Sequence, residues 1–291
     1  MNAGRGDSPV EVAVVGSVNL DIVISCDRRP GPGETVAGRT VDEVIGGKGA
    51  NQAIAAASAA RCALIAAVGN DAAAQAARTA LEQAGVMLDA LDVSALPTGR
   101  AYITVTPDGE NSIVVVPMAN ADLTADRVFA SLERKRPRVV LSQLEVPLEA
   151  VYRAADWCES NGARFLLNPS PMIAFDRRLL AMADPLVVNR HEAELLCGPR
   201  GADVAGLARE LSALCRSVVD THGAQGAYVA VDGAFDLVPA PAVTVVDTTG
   251  AGDAFAGAIA ARLARGDSVR HATEHAVATA SRIVQLARSD R

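Results

Sequence analysis

A ten-residue segment near the end of the chain, residues 246–255, combines groups that could bind an anion and accept a proton. It reads VDTTGAGDAF, follows an apolar β-branched run at 243–246 and opens a helical pattern at 254–263. A strand that leads through glycines into a helix exposes N–H groups without helical partners, and the helix dipole adds partial positive charge there. The segment therefore predicts a strand at 243–246 followed by a pocket for negative charge.

Four consecutive residues would form the reacting part of that pocket. Gly250 and Gly252 let the backbone, with Ala251 between them, approach a ligand closely. Asp253 adds a carboxylate within the same turn, which predicts group transfer to a hydroxyl, with phosphate as the anion and Asp253 as the base. The alternative is ordinary turn chemistry, in which Asp253 only caps the helix and stabilises it by about 1 kcal/mol.

The sequence excludes two familiar phosphate-binding motifs. A P-loop needs Ser or Thr after its Gly-Lys pair, whereas Lys48 is followed by Gly49. A dinucleotide-binding fingerprint needs G-x-G-x-x-G after the first strand, whereas Gly250 and Gly252 lie near the C-terminus and Phe255 takes the third glycine position. The predicted anion pocket is therefore of another design.

The composition narrows the class of protein. Of the 291 residues, 50% are hydrophobic, and the net charge is −7. An acidic chain without a basic block argues against nucleic acid or an anionic membrane as a partner. No uncharged apolar run reaches the ~18 residues that span a bilayer, and the polar start lacks a signal-peptide core. Five cysteines without a C-x-x-C pair predict reduced thiols in a cytoplasmic protein.

Strands and helices alternate along most of the chain. After residue 124 we predict strands at 139–141, 164–167, 186–188, 217–220 and 228–231, with helices near 125–134, 147–161, 174–182 and 202–214. This alternation is typical of an α/β protein with a central, mostly parallel sheet and helices on both faces.

Two segments break the alternation, at 17–46 and 98–118. Both are bounded by glycine and proline and have the pattern of antiparallel strands. We predict that these two insertions form one small β-sheet, which covers the main domain as a lid. The α/β core, which binds nucleotide and substrate, would then comprise residues 1–16, 47–97 and 119–291.

The segment at 246–255 resembles the second signature of the ribokinase (phosphofructokinase B-type) family of sugar kinases. Other segments resemble the same family in the same order along the chain. They are 16–21 (GSVNLD), 46–53 (GGKGANQA), 143–145 (QLE), 189–194 (NRHEAE) and 221–226 (THGAQG). The resemblance covers residues 12 to about 286, and it implies a ribokinase-like fold and an ATP-dependent kinase.

The resemblance also implies a sugar pocket. Asn19 and Asp21 lie two apart on a predicted strand, so they face the same side and could converge on a diol. Two alternatives need no sugar. Asn19 and Asp21 could simply be a polar strand end, and the glycines around Lys48 could be a turn beside a solvated lysine. The implied sugar-binding residues are Asn19, Asp21, Gly47, Lys48, Asn51, Glu145 and Asp253.

On the nucleotide side, the resemblance implies that ATP lies along a loop of small residues. His222 replaces a residue that is commonly small or apolar in the family, and we expect it to face solvent. Asn189 and Glu192 would organise Mg²⁺ mainly through water, because this ion prefers oxygen ligands and dehydrates reluctantly. Their alternative is a helix start with an acidic first turn. The implied ATP-binding residues are Asn189, Thr221, Gly223, Gly226 and Gly252.

A monovalent cation site is implied as well, but one half of it differs from the family. Asp247 and Thr249 stand where the family's cation-binding Asp and Thr occur. The Gly-Ala pair that supplies the other half is replaced by Arg288 and Ser289, and the sequence stops at Arg291. We therefore predict weak or absent activation by K⁺.

The expected activity is transfer of the γ-phosphate of ATP to the primary hydroxyl of a pentose, D-ribose first, in a homodimer formed through the lids. Only 3% of the residues are aromatic, and Tyr102 is the sole aromatic residue of the lid segments, which argues against a nucleoside base. Alternatives are a nucleoside (adenosine or pseudouridine), another carbohydrate, a phosphorylated sugar clamped by Arg28 and Arg29, or a non-catalytic sugar-binding regulator.

Overall fold

The computed structural model describes residues 9–198 and 204–286, which form a nine-stranded and a four-stranded sheet. In chain order, the strands are β1 Val12–Val15, β2 Asn19–Cys26, β3 Gly38–Gly46, β4 Cys62–Val68, β5 Met87–Val93, β6 Gly99–Val105, β7 Asn111–Val116, β8 Val139–Ser142, β9 Arg164–Leu167, β10 Leu186–Asn189, β11 Ser217–Thr221, β12 Ala227–Val231 and β13 Ala234–Val238. The helices are α1 Lys48–Ala57, α2 Ala72–Gln83, α3 Ala125–Lys135, α4 Leu148–Asn161, α5 Arg178–Met182, α6 Arg190–Cys197, α7 Val204–Ser212, α8 Ala251–Ala264 and α9 Val269–Ile283.

The large sheet has the order β13-β12-β11-β10-β9-β8-β1-β4-β5. All neighbours pair in parallel except at one edge, where β12 pairs antiparallel with both β11 and β13. Every residue of β4 is buried, as expected for a parallel strand that is covered on both faces. The predicted α/β architecture with a mostly parallel sheet is confirmed.

Helices cover both faces of this sheet. One core contains side chains from α1, α2, α8 and α9, and the other contains side chains from α3 to α7. Helix α8 is apolar around its whole circumference, and eleven of its 14 residues are buried, which is typical of a central helix. In the two described ranges, no helix is both long and apolar enough to cross a membrane.

The four-stranded sheet has the order β3-β2-β6-β7 and forms the predicted lid sheet. Its outer pairs are antiparallel, but β2 and β6 pair in parallel, which differs from the antiparallel pattern that the sequence suggests. The reason is topological, because β2 follows β1 and β6 follows β5. Since β1 and β5 run parallel in the large sheet, both insertions enter the lid in the same direction. The exact domain limits stay a prediction.

The predicted strand at 243–246 is wrong. The last strand before α8 is β13, and the chain from 239 to 249 follows it without regular structure. Pro239 and Pro241 lack the N–H that would continue a sheet ladder. The segment is instead attached to the end of α9, where Val246 N and Asp247 N donate to Val284 O at 2.7 and 3.2 Å.

The predicted helix at 174–182 is reduced to α5, which begins only at Arg178. Asp176 accounts for the late start, because its Oδ1 accepts from Arg178 N at 2.8 Å while its own N–H donates to the Tyr152 hydroxyl. A side chain that bonds to backbone two residues onward favours a turn over a helix.

Helices α1 and α8 cross at Gly257, where their backbones are in contact. A Cβ atom built on Gly257 would lie 2.4 Å from Gln52 O and 2.6 Å from Ala55 Cβ. No side chain fits at that distance, so glycine sets the separation of the two helices. The segments that the sequence analysis singled out at 46–53 and 246–255 begin these same two helices.

We predict that Gly257→Ala lowers the free energy of unfolding by about 1–3 kcal/mol, because the added methyl group forces the helices apart. This loss opposes the gain of roughly 0.5–1 kcal/mol that alanine normally brings to a helix. Urea unfolding followed by circular dichroism measures the change. Gly31→Ala is the matched control, since its nearest contact would be Glu34 Oε2 at 3.6 Å. Equal stability of the two variants would contradict the steric argument.

Candidate active site

Asp253 lies in the first turn of α8 with only 8% of its surface exposed. Both carboxylate oxygens accept hydrogen bonds from α1. Oδ1 accepts from Gln52 Nε2 at 2.9 Å, and Oδ2 accepts from Asn51 Nδ2 at 3.2 Å. These donors are neutral amides, so they orient the carboxylate without pairing it with a positive charge. The predicted base is thus held between the two helices that cross at Gly257.

Gln52 belongs to a chain of amides that the sequence analysis missed. Its Nε2 also donates to Asn168 Oδ1 at 3.1 Å, and its Oε1 accepts from Gln143 Nε2 at 2.8 Å. Asn168 in turn donates from Nδ2 to Val187 O at 3.0 Å. The position of Asn168 directly after β9 was an available signal, because ligand sites of parallel sheets lie at the carboxyl ends of strands. Gln143 carries the same signal, because it directly follows β8, whereas Gln52 carries none beyond its place in the segment at 46–53.

A small polar cavity of about 140 Å³ opens beside Asp253. It lies at the carboxyl ends of β9, β10 and β11, the usual place for a ligand in a parallel sheet. Besides Asp253, its polar and glycine lining consists of Lys48, Asn168, Ser170, Asn189, Glu192, Thr221, Gly250 and Gly252. The structure therefore brings together residues that the sequence analysis assigned to base, anion pocket, sugar and nucleotide.

A larger, mainly apolar cavity of about 500 Å³ adjoins the small one, and Thr221, Gly252 and Phe255 line both. Its walls are the turn at 223–226, the irregular segment at 240–248 and one side of α9. A concave apolar site of this size with a few polar groups suits an organic ligand. Of the predicted ATP-binding residues, Thr221, Gly223, Gly226 and Gly252 line this cavity, while Asn189 lines the small one.

The start of α8 lies where the two cavities meet. Gly250 precedes the helix with φ 73°, a backbone conformation that disfavours a side chain. No described side chain caps this helix. The N–H of Ala251 donates to Thr248 O at 3.1 Å, so this amide closes a turn in the structure. The amides of Gly252 and Asp253 follow it at a helix start, where N–H groups lack helical acceptors.

The lid contributes two buried polar residues. Asn19 and Asp21 lie on the same face of β2, and both are less than a tenth exposed. A neighbour that the sequence analysis missed, Asn120, donates from Nδ2 to Asn19 Oδ1 at 2.8 Å. At Gly46 an added Cβ would lie 2.3 Å from the Asp21 carboxylate, so glycine there makes room for that side chain.

Glu145 forms a hydrogen bond to the backbone at the start of α1. Its Oε2 accepts from Lys48 N at 3.0 Å and from the Ser17 hydroxyl. Gly47, which precedes the helix, offers no side-chain cap, so Glu145 supplies the missing acceptor from a distant part of the chain. Lys48 itself lines the small cavity. The roles predicted for Gly47, Lys48 and Glu145 in sugar binding stay predictions.

Asn189 and Glu192 form a reciprocal capping box at the start of α6. Glu192 N donates to Asn189 Oδ1, and Asn189 N donates to Glu192 Oε2, each at 2.9 Å. Their oxygens are of the type that Mg²⁺ prefers, and both residues line the small cavity. No group of three His, Cys, Asp or Glu residues among those described could hold a metal directly. The residues thus fit an ion that is held mainly through water.

Asp247 and Thr249 form a local turn, in which Thr249 N donates to Asp247 Oδ1 at 2.8 Å. The turn lies close to the end of α9, since Asp247 N donates to Val284 O. The predicted replacement of the other half of the cation site, at Arg288 and Ser289, lies outside the described residues. Weak or absent K⁺ activation therefore stays a prediction.

A model of the pfkB family of carbohydrate kinases matches residues 10–289. The chain belongs to this family. It is a carbohydrate kinase, a phosphotransferase with an alcohol group as acceptor. A ribokinase of Bacillus subtilis is 36% identical over 273 residues, which are 93% of this chain and 91% of that protein. A deoxyribokinase of Salmonella typhi is 33% identical over 280 residues, 92% of this chain and 90% of that protein.

Solved structures resemble this pfkB kinase over nearly its whole length. A ribokinase from Thermotoga maritima is 30% identical with a TM-score of 0.88, covering 95% of this chain and 93% of that one. A ribokinase from Arabidopsis thaliana, solved with ribose and ATP, is 30% identical with a TM-score of 0.86, covering 96% and 94%. The predicted ribokinase-like fold is confirmed.

The prediction that His222 faces solvent is wrong for this pfkB kinase. Its side chain is 3% exposed, and Nε2 lies 2.9 Å from Oδ2 of the fully buried Asp220. The contact is close but poorly aligned, and neither atom has an aligned hydrogen bond within the described residues. The His222 ring packs edge-on against Tyr228, which stacks on Phe235. The His222 side chain is buried because Asp220, two residues earlier, contacts it and the rings of Tyr228 and Phe235 pack on that side.

Burial raises the pKa of Asp220 above its ordinary value, while His222 acts in the opposite direction. A carboxyl whose pKa is raised by folding binds protons more tightly in the native state, so stability falls as pH rises through that range. Removing His222 should accentuate this effect.

We predict that at pH 8 His222→Leu is about 1–3 kcal/mol less stable than Asp220→Asn/His222→Leu, because it leaves a buried carboxylate alone. The gap should narrow toward pH 5, because folding raises the pKa of Asp220 and so favours its neutral form increasingly as pH falls. Urea titrations at both pH values measure it, with His191→Leu on exposed α6 as control. A gap that widens toward pH 5 is the opposite result and would remove Asp220 as the cause.

Proposed function

We propose that this kinase transfers the γ-phosphate of ATP to the primary hydroxyl of D-ribose, giving D-ribose 5-phosphate. The observation that carries the proposal is the position of Asp253, which lines the small cavity directly beside Gly252, a residue that lines both cavities. A sugar in the small cavity and a nucleotide in the large one would meet at Gly252 and Asp253, the start of α8. The relatives named ribokinases support the same acceptor.

The chain's own residues have separate tasks in this proposal. Asp253 accepts the proton of the acceptor hydroxyl as that oxygen attacks the γ-phosphate. The amides of Gly252 and Asp253, with the dipole of α8, stabilise charge that builds on the phosphoryl oxygens. Lys48 adds a positive charge from the wall of the small cavity. The lid excludes water, which would otherwise compete as acceptor.

Magnesium would be held on the side of Asn189 and Glu192, mainly through water, and would supply neutralisation of the nucleotide phosphates. The capping box fixes both side chains at the start of α6, so they offer oxygen ligands at defined positions. The proposal does not require K⁺.

The geometry of the lid favours a small polyol as acceptor. Tyr102 lies one residue beyond Ala101, which pairs with Asp21, and therefore occupies the opposite face of the sheet from Asp21. It does not offer a stacking surface for a nucleoside base beside the buried polar pair. Arg28 and Arg29 are each paired with a glutamate, Glu34 and Glu110, which disfavours them as a clamp for a phosphorylated sugar.

A second acceptor, 2-deoxyribose, has its own support in the 33% identical deoxyribokinase. The two sugars differ in one hydroxyl, and a site built to bond that hydroxyl rejects the analogue that lacks it. The two activities are therefore separable by kinetics.

The proposal predicts the highest kcat/KM for D-ribose in a panel with 2-deoxyribose, fructose, fructose 6-phosphate, adenosine and pseudouridine. The measurement is ADP release with MgATP, in K⁺ and in Na⁺ buffer. A higher kcat/KM for a nucleoside or phosphosugar contradicts the pentose assignment. Sugar binding without ADP release would instead identify a regulator.

In the same assay, Asp253→Asn should lower kcat by roughly 10²–10⁴ with sugar binding retained, while Asp126→Asn in the exposed first turn of α3 serves as control.

We also propose a homodimer formed through the lids, in a cytoplasmic protein with reduced cysteines. Ile22, Tyr102 and Val114 lie side by side across the lid sheet, and Val114 is 63% exposed. Strands β3 and β7 are the edges of that sheet. An apolar face and two free edges are features that a second copy would cover.

Light scattering coupled to size exclusion should therefore give a mass near twice the 29.9 kDa of one chain. Val114→Arg should shift the mass toward one chain, because a charge within an apolar interface loses its hydration. Leu195→Arg, on an exposed apolar residue of α6, is the control. A wild-type mass of one chain at micromolar concentration speaks against the dimer.

A further inference from the structure

Gln52 contacts Asp253, yet none of the roles proposed above uses it. Its side chain is fully buried and holds Asp253 Oδ1 at 2.9 Å. Asn51, which bonds to Oδ2, is only half-buried, and its bond is longer at 3.2 Å. The carboxylate is therefore held firmly at Oδ1, while the bond at Oδ2 is the easier one to exchange for a substrate hydroxyl.

The amide of Gln52 has only one favourable orientation. Gln143 donates its Nε2–H to Oε1, which requires an oxygen at that position. On the other side, Nε2 donates to both Asp253 Oδ1 and Asn168 Oδ1, which requires a nitrogen there. Turning the amide over would bring its oxygen against two acceptor oxygens and its nitrogen against a donor. Its neighbours thus fix which end of Gln52 meets Asp253.

The backbone of Gln52 is fixed as well. Its carbonyl oxygen lies against Gly257 at the crossing of α1 and α8, one helical turn beyond Asp253. Gln52 therefore touches α8 at two successive turns, through its backbone at Gly257 and through its side chain at Asp253. These two attachments restrict the movement of Gln52 Nε2 relative to Asp253 Oδ1.

We propose that Gln52 is a positioning residue for phosphoryl transfer, because its hold on Oδ1 turns Oδ2 of Asp253 toward the acceptor hydroxyl. The inference rests on the proposed role of Asp253 as base. In the step concerned, the hydroxyl O–H bond breaks and its proton goes to Oδ2. The hydroxyl oxygen bonds to the γ-phosphorus, and the bond between that phosphorus and the ADP oxygen breaks.

The test variant is Gln52→Met, which keeps the length of the side chain and removes its hydrogen bonds. Single-turnover transfer from MgATP to D-ribose should slow roughly 10–100-fold, the scale expected for a misplaced catalytic group. The KM values for sugar and ATP should stay within about twofold, because Gln52 lines neither cavity. Gln75→Met, at an exposed glutamine of α2, is the matched control and should leave rate and KM unchanged.

Introducing Gln52→Met into the Asp253→Asn variant distinguishes a positioning role of Gln52 from a general loss of structure. If Gln52 acts through Asp253, adding Gln52→Met to Asp253→Asn causes no further slowing. An equal slowing in both backgrounds overturns the inference, as does a wild-type rate in Gln52→Met or a raised KM with an unchanged rate.

Gln52→Asn decides the question if Gln52→Met fails to fold. It keeps an amide at this position but shortens the side chain by one methylene, which withdraws the donor from Asp253 Oδ1. A several-fold slower transfer at unchanged KM supports positioning, and a wild-type rate overturns it. The proposed function fails separately, if Asp253→Asn itself transfers phosphate at a near-wild-type rate. If Asp253→Asn is slow while Gln52→Met is fast, only this inference fails.

Discussion

The site depends on how closely two helices approach each other. Helix α8 carries Asp253, and helix α1 carries the side chains that hold its carboxylate. Their backbones can touch only because Gly257 has no side chain at the crossing. Interiors are packed densely and resist compression, so a backbone contact one turn from Asp253 sets the distance between this carboxylate and its donors more rigidly than any flexible side chain could.

Three helices begin around the small cavity, and their N-termini differ in their hydrogen-bond partners. The start of α1 is bonded by Glu145 from another segment, and the start of α6 is closed by its own capping box. No described side chain caps α8. All three starts carry partial positive charge. The carboxylates of Glu145 and Glu192 accept from backbone at the starts of α1 and α6, whereas the first-turn carboxylate of α8, that of Asp253, accepts from side chains of α1. This difference favours the start of α8 as the proposed phosphate site more strongly than its glycines alone.

The alternation of strands and helices and the order of the motifs were enough to predict the α/β sheet, the lid and the segments that meet at the site. What the sequence concealed depends on contacts between distant residues. Asn120 reaches Asn19 across 101 positions, and Gln52 reaches Gln143 across 91, and neither pairing leaves a local pattern. The apolar run at 243–246 has the residue pattern of a strand. That pattern carries no information about hydrogen bonding, and Pro239 and Pro241 before the run end the hydrogen-bond ladder of the sheet. His222 looked exposed because its burial depends on Asp220 and Tyr228.

The groups around the Asp253 carboxylate explain how the proposed base can be buried here. A carboxylate out of water needs hydrogen bonds, and a cation would satisfy it most strongly. A cation, however, also favours the charged form of a carboxyl and so resists its protonation. Amides avoid this conflict, because they orient a carboxylate at a smaller electrostatic cost when it takes a proton. The chain uses Asn51 and Gln52 for these contacts and supports Gln52 with two more amides, whereas the charged Lys48 lines the cavity without a described bond to Asp253. A buried network of neutral amides therefore fixes the Asp253 carboxylate in place without pairing it with a positive charge.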